Sequence, residues 1–186
     1  KTSEFFLMLT IPLLASSFVV GDKIMTLVAG KEYSISGTIL FPLMIATMAI
    51  FAGTAFTYLA VTIEKQKAML PYYAVASVSA ILLYIWLIPV YSYVAAAWIT
   101  AIIEIFIALS GYMITKKTAQ LSIKITPLLK IIFSGVIMLV LLYLSQNLNI
   151  ILQLTLTSLV YLIMLVLFKS ITTDDLKMFF KLKNNS

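Results

Sequence analysis

The sequence predicts an all-α membrane protein: a polytopic bundle of about six transmembrane helices, followed by a short amphipathic C-terminal helix. Hydrophobic residues make up 62% of the 186 residues and charged residues only 11%, whereas about a quarter of the residues of a soluble domain are charged. The apolar runs reach the roughly 20 residues that a helix needs to cross the hydrocarbon core. They do not alternate in polarity at every second residue, which excludes transmembrane strands.

Six apolar runs follow one another along the chain, separated by charged or turn-forming residues. They cover approximately residues 5–28, 34–62, 68–88, 91–114, 126–146 and 148–168. The breaks lie at 30–33, 64–67, 89–92, 116–124 and 145–149. We therefore predict a six-helix transmembrane bundle over residues 1–171 and an interfacial tail over residues 172–186.

The distribution of lysines predicts the orientation, because cytoplasmic loops carry the excess of basic residues. Six spans place both chain ends and the second and fourth loops on one side of the membrane. That side holds Lys1, Lys65, Lys67, Lys116, Lys117, Lys124, Lys130, Lys169, Lys177, Lys181 and Lys183. The other side holds only Lys23 and Lys31. We expect a multi-pass protein of the cell (plasma) membrane with both termini of this chain in the cytoplasm.

The predicted tail has the pattern of a helix that lies in the headgroup plane. Asp174 and Asp175 occupy its first turn, and Leu176, Phe179 and Phe180 share one face. Such a helix buries its apolar face among the lipids and is attracted to anionic headgroups through its lysines. Membrane lipid is therefore an expected partner.

Prolines within the first two spans are candidate hinges. Pro12 and Pro42 each remove a backbone donor, which predicts a kink in each helix. One interpretation is an ordinary packing kink, which membrane helices tolerate because neighbouring groups satisfy the freed backbone. The other is a hinge or a break that lines a cavity.

Residue types that the chain lacks exclude several kinds of site. There is no cysteine and no histidine, which rules out disulfides, zinc and haem ligation, and Cys- or His-based catalysis. We expect no metal, no cofactor, no nucleic-acid partner and no enzymatic activity. A membrane transferase acting on polyprenyl phosphate remains the less favoured alternative, since the only paired acids, Asp174 and Asp175, stand in a helix-capping position.

Glu104 is the strongest candidate for a functional residue. It lies more than half way along the fourth apolar run, between isoleucines and phenylalanine. An ionisable group at membrane depth is costly and usually faces a bundle interior or an aqueous cavity. Glu104 is thus either a packing residue, bonded to a neighbouring helix, or a coupling or gating residue for protons or cations. Residues 87–104 around it predict a tight helical hairpin.

Aromatic residues gather near the ends of the third and fourth spans, where an interfacial aromatic belt is expected. Stacking of Tyr91, Tyr93 or Trp98 on a sugar is the alternative interpretation. Pairs of small residues four positions apart, such as Ala49 and Gly53, predict close helix contacts.

Four sequence pieces, in order, resemble the C-terminal part of the polysaccharide transporter (oligosaccharide flippase) family of the multidrug/oligosaccharidyl-lipid/polysaccharide exporter superfamily. They are Gly-Lys-Glu-Tyr at 30–33, Ile-Glu-Lys-Gln-Lys at 63–67, Leu-Ile-Pro-Val-Tyr at 87–91, and the Ala-Ala-x-x-Thr of 96–100 with Glu104 after it. The motifs span about 75 residues, and the remaining hydrophobic pattern is similar to the last helices of such a transporter.

The resemblance implies that this chain is part of a flippase that moves polyprenyl-linked oligosaccharide across the membrane for surface polysaccharide biosynthesis. It implies rocking of two lobes, with the missing N-terminal lobe of the same protein forming the other cavity wall. The headgroup candidates are Lys23, Lys31, Tyr91, Tyr93 and Trp98. The last two helices could form a groove for the lipid tail, with Ser134 and Gly135 leaving room for it. A six-helix membrane scaffold or assembly subunit is the main alternative.

Overall fold

The computed structural model describes residues 2–119 and 125–168, and these are helical almost throughout. The α-helices are α1 (Thr2–Ala29), α2 (Gly37–Thr62), α3 (Gln66–Ala119), α4 (Ile125–Leu144) and α5 (Ile150–Leu167), with a 3-10 helix at Lys31–Ser36 before α2. The predicted all-α class is therefore confirmed. The chain divides into unit 1, Lys1–Ile123, and unit 2, Lys124–Ser186.

Five helices of the described residues are long and apolar enough to cross a membrane. This differs from the predicted six spans, because the third and fourth predicted spans both fall within α3, which has 54 residues. One residue inside α3, Ser92, has non-helical dihedral angles (φ 54°, ψ −145°). Ser92 therefore separates two arms, which we call the first arm (66–91) and the second arm (93–119).

The two arms of α3 fold back on each other at Ser92. The hydroxyls of Tyr84 and Thr100, eight residues on either side of Ser92, are 2.9 Å apart. Farther from the turn, the rings of Tyr72 and Phe106 lie 6.4 Å apart. An uninterrupted helix would separate Tyr84 from Thr100 by about 24 Å. The hairpin predicted over 87–104 is thus present, with its turn at Ser92.

Helix α2 packs between α1 and α3 in unit 1. It runs antiparallel to α1, as the stacked rings of Phe6 and Phe51 at one end and the contact of Phe18 with Phe41 at the other show. It runs parallel to the second arm, because Gly53 faces Ala108 and Phe56 faces Tyr112. Gly53, one of the predicted small contact residues, is buried in this crossing.

Unit 2 is an antiparallel hairpin of α4 and α5. Asn149 caps the start of α5 by accepting a hydrogen bond from the backbone N–H of Ile151 at 3.0 Å. Gln153, fully buried, donates through Nε2 to the carbonyl of Leu142 at 2.7 Å. Leu142 is in the last turn of α4, where carbonyls have no helical partner. A side chain of α5 therefore satisfies the end of α4.

Neither proline hinge candidate coincides with a break in the backbone. In α1 the residue with non-helical angles is Val20 (φ −127°, ψ 22°), eight residues after Pro12. No residue of α2, all of which is described, is recorded as non-helical around Pro42. The hinge role of the two prolines stays a prediction. The predicted tail, residues 172–186, lies outside the described residues.

Candidate functional site

Glu104 lies half way along the second arm of α3. It is 12 residues from the turn at Ser92 and 12 residues from Lys116, which places it about 18 Å from either position along the helix. If the arm crosses a hydrocarbon layer of about 30 Å, the carboxylate is near its middle. The sequence predicted this depth from the position of the residue in its apolar run.

The Glu104 side chain lines a cleft between α2 and the two arms of α3. The cleft has a volume of about 260 Å³. Its apolar walls come from Ala49, Ile50, Gly53, Ile107 and Ala108, and its polar groups are Glu104, Thr54, Thr57 and Tyr73. Because a water molecule takes about 30 Å³ in the liquid, the cleft has room for several waters or for a partly hydrated ion.

Hydroxyl groups from two helical segments, α2 and the first arm of α3, meet at this cleft. Thr57 of α2 and Tyr73 of the first arm are 3.3 Å apart at their oxygens. Thr54 donates to the carbonyl of Ile50 in the preceding turn, which leaves its oxygen lone pairs able to accept a hydrogen bond. One turn from Glu104, Thr100 contacts Tyr84. The cleft is therefore a polar strip inside an apolar helical unit.

The carboxylate of Glu104 lacks a counter-charge within unit 1. Among the described residues of this unit, none forms an ion pair with Glu104 or donates a hydrogen bond to it. Tyr73 is the only other titratable side chain on the cleft wall. Glu104 is half-buried, and a carboxylate without a partner at the middle of a membrane-crossing helix is costly, so a proton or a cation from solvent is the chemistry that this arrangement favours.

Glu104 is the single acidic side chain on the cleft wall. In the described part of the chain there is no group of three or more acidic residues that could hold a metal ion. One carboxylate balances one positive charge only. A proton or a monovalent cation would match this charge.

All five headgroup candidates lie at one end of unit 1. Lys23 is near the end of α1, Lys31 opens the 3-10 helix, and Tyr91 and Tyr93 flank the turn of α3. The ring of Trp98 is 6.3 Å from that of Phe41, which in turn contacts Phe18 of α1. These contacts align the α1–α2 connection with the α3 turn. Trp98, six residues before Glu104, is about 9 Å from it by helical rise.

Acidic residues accompany the lysines at that end. Asp22 and Glu32 are exposed next to Lys23 and Lys31, so the four side chains have no net charge. The two acids thus offset the charge of Lys23 and Lys31, the two basic headgroup candidates. The aromatic residues Tyr91, Tyr93 and Trp98 are also exposed, as stacking on a sugar would require.

The two lipid-tail groove candidates are buried in the structure. Ser134 has no exposed surface and donates a hydrogen bond to the carbonyl of Lys130 at 2.9 Å. Gly135 beside it is also buried. An acyl chain would reach them only if the packing around α4 opened. The groove stays a prediction.

Three cleft residues, Thr54, Thr57 and Tyr73, were not predicted as site residues from the sequence. The first two are ordinary hydroxyl residues of an apolar helix, and Tyr73 matched an interfacial aromatic belt. The positions of Thr54 and Thr57 on α2, close to Ala49 and Gly53, could have indicated the cleft. Small and hydroxyl residues are common where membrane helices contact each other.

Comparisons of the chain with protein-family models, with curated proteins and with solved structures gave no match. The resemblance to the flippase family therefore rests on the four motifs between residues 30 and 104.

Proposed function

We propose that this chain is part of a membrane transporter that flips polyprenyl-linked oligosaccharide by alternating access, for the biosynthesis of surface polysaccharide. The observation that carries the proposal is the position of Glu104: an unpaired carboxylate half way along an apolar helix, on the wall of a polar cleft. Charged groups at membrane depth commonly mark ion or substrate pathways. The motif resemblance supplies the substrate class.

In this proposal the residues near the α3 turn and the carboxylate in the cleft have different functions. The exposed Tyr91, Tyr93 and Trp98 contact the sugar, and Lys23 and Lys31 contribute to the pyrophosphate environment. Glu104 binds the coupling proton or cation, or acts as a gate. Rocking against a second lobe would alternate access to the site, as in transporters built from paired lobes.

The test is translocation by the full-length protein in liposomes. A fluorescent polyprenyl-pyrophosphate oligosaccharide placed in both leaflets is exposed to an impermeant quencher, and the extent of quenching is followed over time. We expect quenching beyond the outer-leaflet fraction only when protein is present. If folded protein leaves the inner-leaflet fluorescence protected, as a scaffold subunit would, the transport proposal fails.

The orientation can be tested with single cysteines, because the native chain has none. Lys31 and Lys65 lie at opposite ends of α2, whose 26 residues extend about 39 Å. We expect an impermeant thiol reagent to label Lys31→Cys in intact cells and Lys65→Cys only after permeabilisation. Equal labelling of both in intact cells would contradict the cytoplasmic assignment of the termini.

A further inference from the structure

The two ends of unit 1 differ in net charge. The end at the α1–α2 connection carries two lysines and two acids, as described above. At the opposite end are Lys65, Lys67 and Lys116, all exposed, and the described acids there are Glu64 in the 63–67 loop and Glu4 in the first turn of α1. Positive charge is therefore concentrated at one end of this helical unit.

Contacts between the arms of α3 bring these lysines to a common level. A Cβ on Gly111 would lie 3.4 Å from the terminal methyl of Met69, and Met69 itself is buried. Lys65 precedes Met69 by four residues and Lys116 follows Gly111 by five. Since the arms are antiparallel, both steps lead toward the same end, by about 6 to 8 Å.

The Lys116 side chain is held in place by an aromatic ring. Its ammonium nitrogen lies 5.5 Å from the centroid of Tyr112, a distance at which a cation is attracted to the ring face. An ammonium group has three donors, so this contact leaves donors for another ligand. Because the ring already restricts the Lys116 side chain, this side chain loses less conformational entropy when it binds an anion.

Exposed apolar side chains adjoin the lysines. Tyr58 and Val61 are in the last turns of α2, Leu70 is in the first turns of α3, and Met113 precedes Lys116 by three residues. A free phosphate ion would use only the lysines. A phospholipid would use both features, with its phosphate at the ammonium groups and its acyl chains along the apolar side chains.

We propose that Lys65, Lys67 and Lys116, with the apolar side chains next to them, form a binding site for an anionic phospholipid. This site lies at the opposite end of unit 1 from the sugar-facing aromatic residues, and its occupancy does not depend on transport. Lysines near an anionic membrane surface contribute through charge attraction.

Native mass spectrometry of the full-length protein in neutral detergent tests the site. Phosphatidylglycerol and phosphatidylcholine with identical acyl chains are titrated separately, and inorganic phosphate is added as a competitor. We expect a clear preference for phosphatidylglycerol that phosphate does not abolish. Equal binding of the two lipids, or displacement by millimolar phosphate, would overturn the proposal.

Two double variants locate the binding. Lys65→Gln with Lys67→Gln should weaken phosphatidylglycerol binding roughly 30-fold, from about 1 kcal/mol for each lysine. Lys23→Gln with Lys31→Gln removes the same charge from the other end and should leave binding within about twofold, since that end has compensating acids. The unfolding temperature in phosphatidylcholine confirms that both variants fold. Equal losses in the two variants would show unspecific charge attraction and overturn the site.

Discussion

Replacing Glu104 with glutamine should lower transport of the lipid-linked oligosaccharide by roughly tenfold or more, within the range that a coupling free energy of 1 to 3 kcal/mol produces. Glutamine keeps the size of the side chain but cannot carry the negative charge that binds a proton or a cation. The remaining transport should lose its dependence on pH and sodium gradients, because no titratable carboxylate remains at mid-depth in the cleft.

The matched control is Glu64→Gln. Glu64 is exposed in the loop between α2 and α3, so its charge is solvated and its removal should leave flux within about twofold. Both variants are compared with the wild type in liposomes, under proton gradients and sodium gradients imposed separately. Wild-type flux with unchanged gradient dependence in Glu104→Gln would contradict a coupling or gating role and indicate that Glu104 is a packing residue.

A stability measurement separates a functional loss from a folding defect. An amide in the apolar interior costs less than an unpaired carboxylate, so Glu104→Gln should unfold at the wild-type temperature or above it. A variant that is both less stable and less active would indicate that Glu104 makes a structural hydrogen bond. A variant that is stable and inactive supports a role in coupling or gating.

The depth of Glu104 was predictable from sequence, whereas its surroundings were not. Glu104 is a single charged residue within the apolar run 91–114, so its position along that run predicts its depth. Thr57 and Tyr73, which contact each other on the cleft wall, come from different helical segments and are 16 residues apart. Their contact depends on which face of α2 lies against the first arm. In a membrane helix that is apolar all round, periodicity does not identify the buried face.

The count of helices shows a similar limit. The break over residues 89–92, which begins with Pro89, predicted a turn, and the chain does reverse at Ser92. The reversal takes a single non-helical residue, so α3 includes both arms and the described residues form five helices where six spans were predicted. The backbone break in α1 was less predictable, because Val20 has no special propensity. It precedes Gly21, whose close contact with α2 favours a local change of direction.

The largest effect on stability should come from Gly37 at the crossing of α1 and α2. A Cβ at this position would meet the backbone nitrogen and Cα of Asp22, and a Cβ at Gly21 would lie 2.8 Å from the carbonyl oxygen of Gly37. The two backbones are therefore in direct contact, as small residues permit in membrane helix pairs. Backbone atoms cannot rotate away as a flexible side chain can.

Gly37→Val should therefore force α1 and α2 apart and lower the free energy of unfolding by about 3 kcal/mol, the upper range of ordinary overpacking. Fluorescence-monitored thermal unfolding in detergent measures the loss, with Ser36→Ala as the neighbouring control. Ser36 makes no side-chain capping bond to α2, so removing its hydroxyl should change stability by less than about 0.5 kcal/mol.

Because Phe18 contacts Phe41 one turn from the crossing, Gly37→Val should also disturb the aromatic contacts between Phe41 and Trp98. A valine variant that unfolds at the wild-type temperature would contradict the close crossing and the arrangement of α1 against α2.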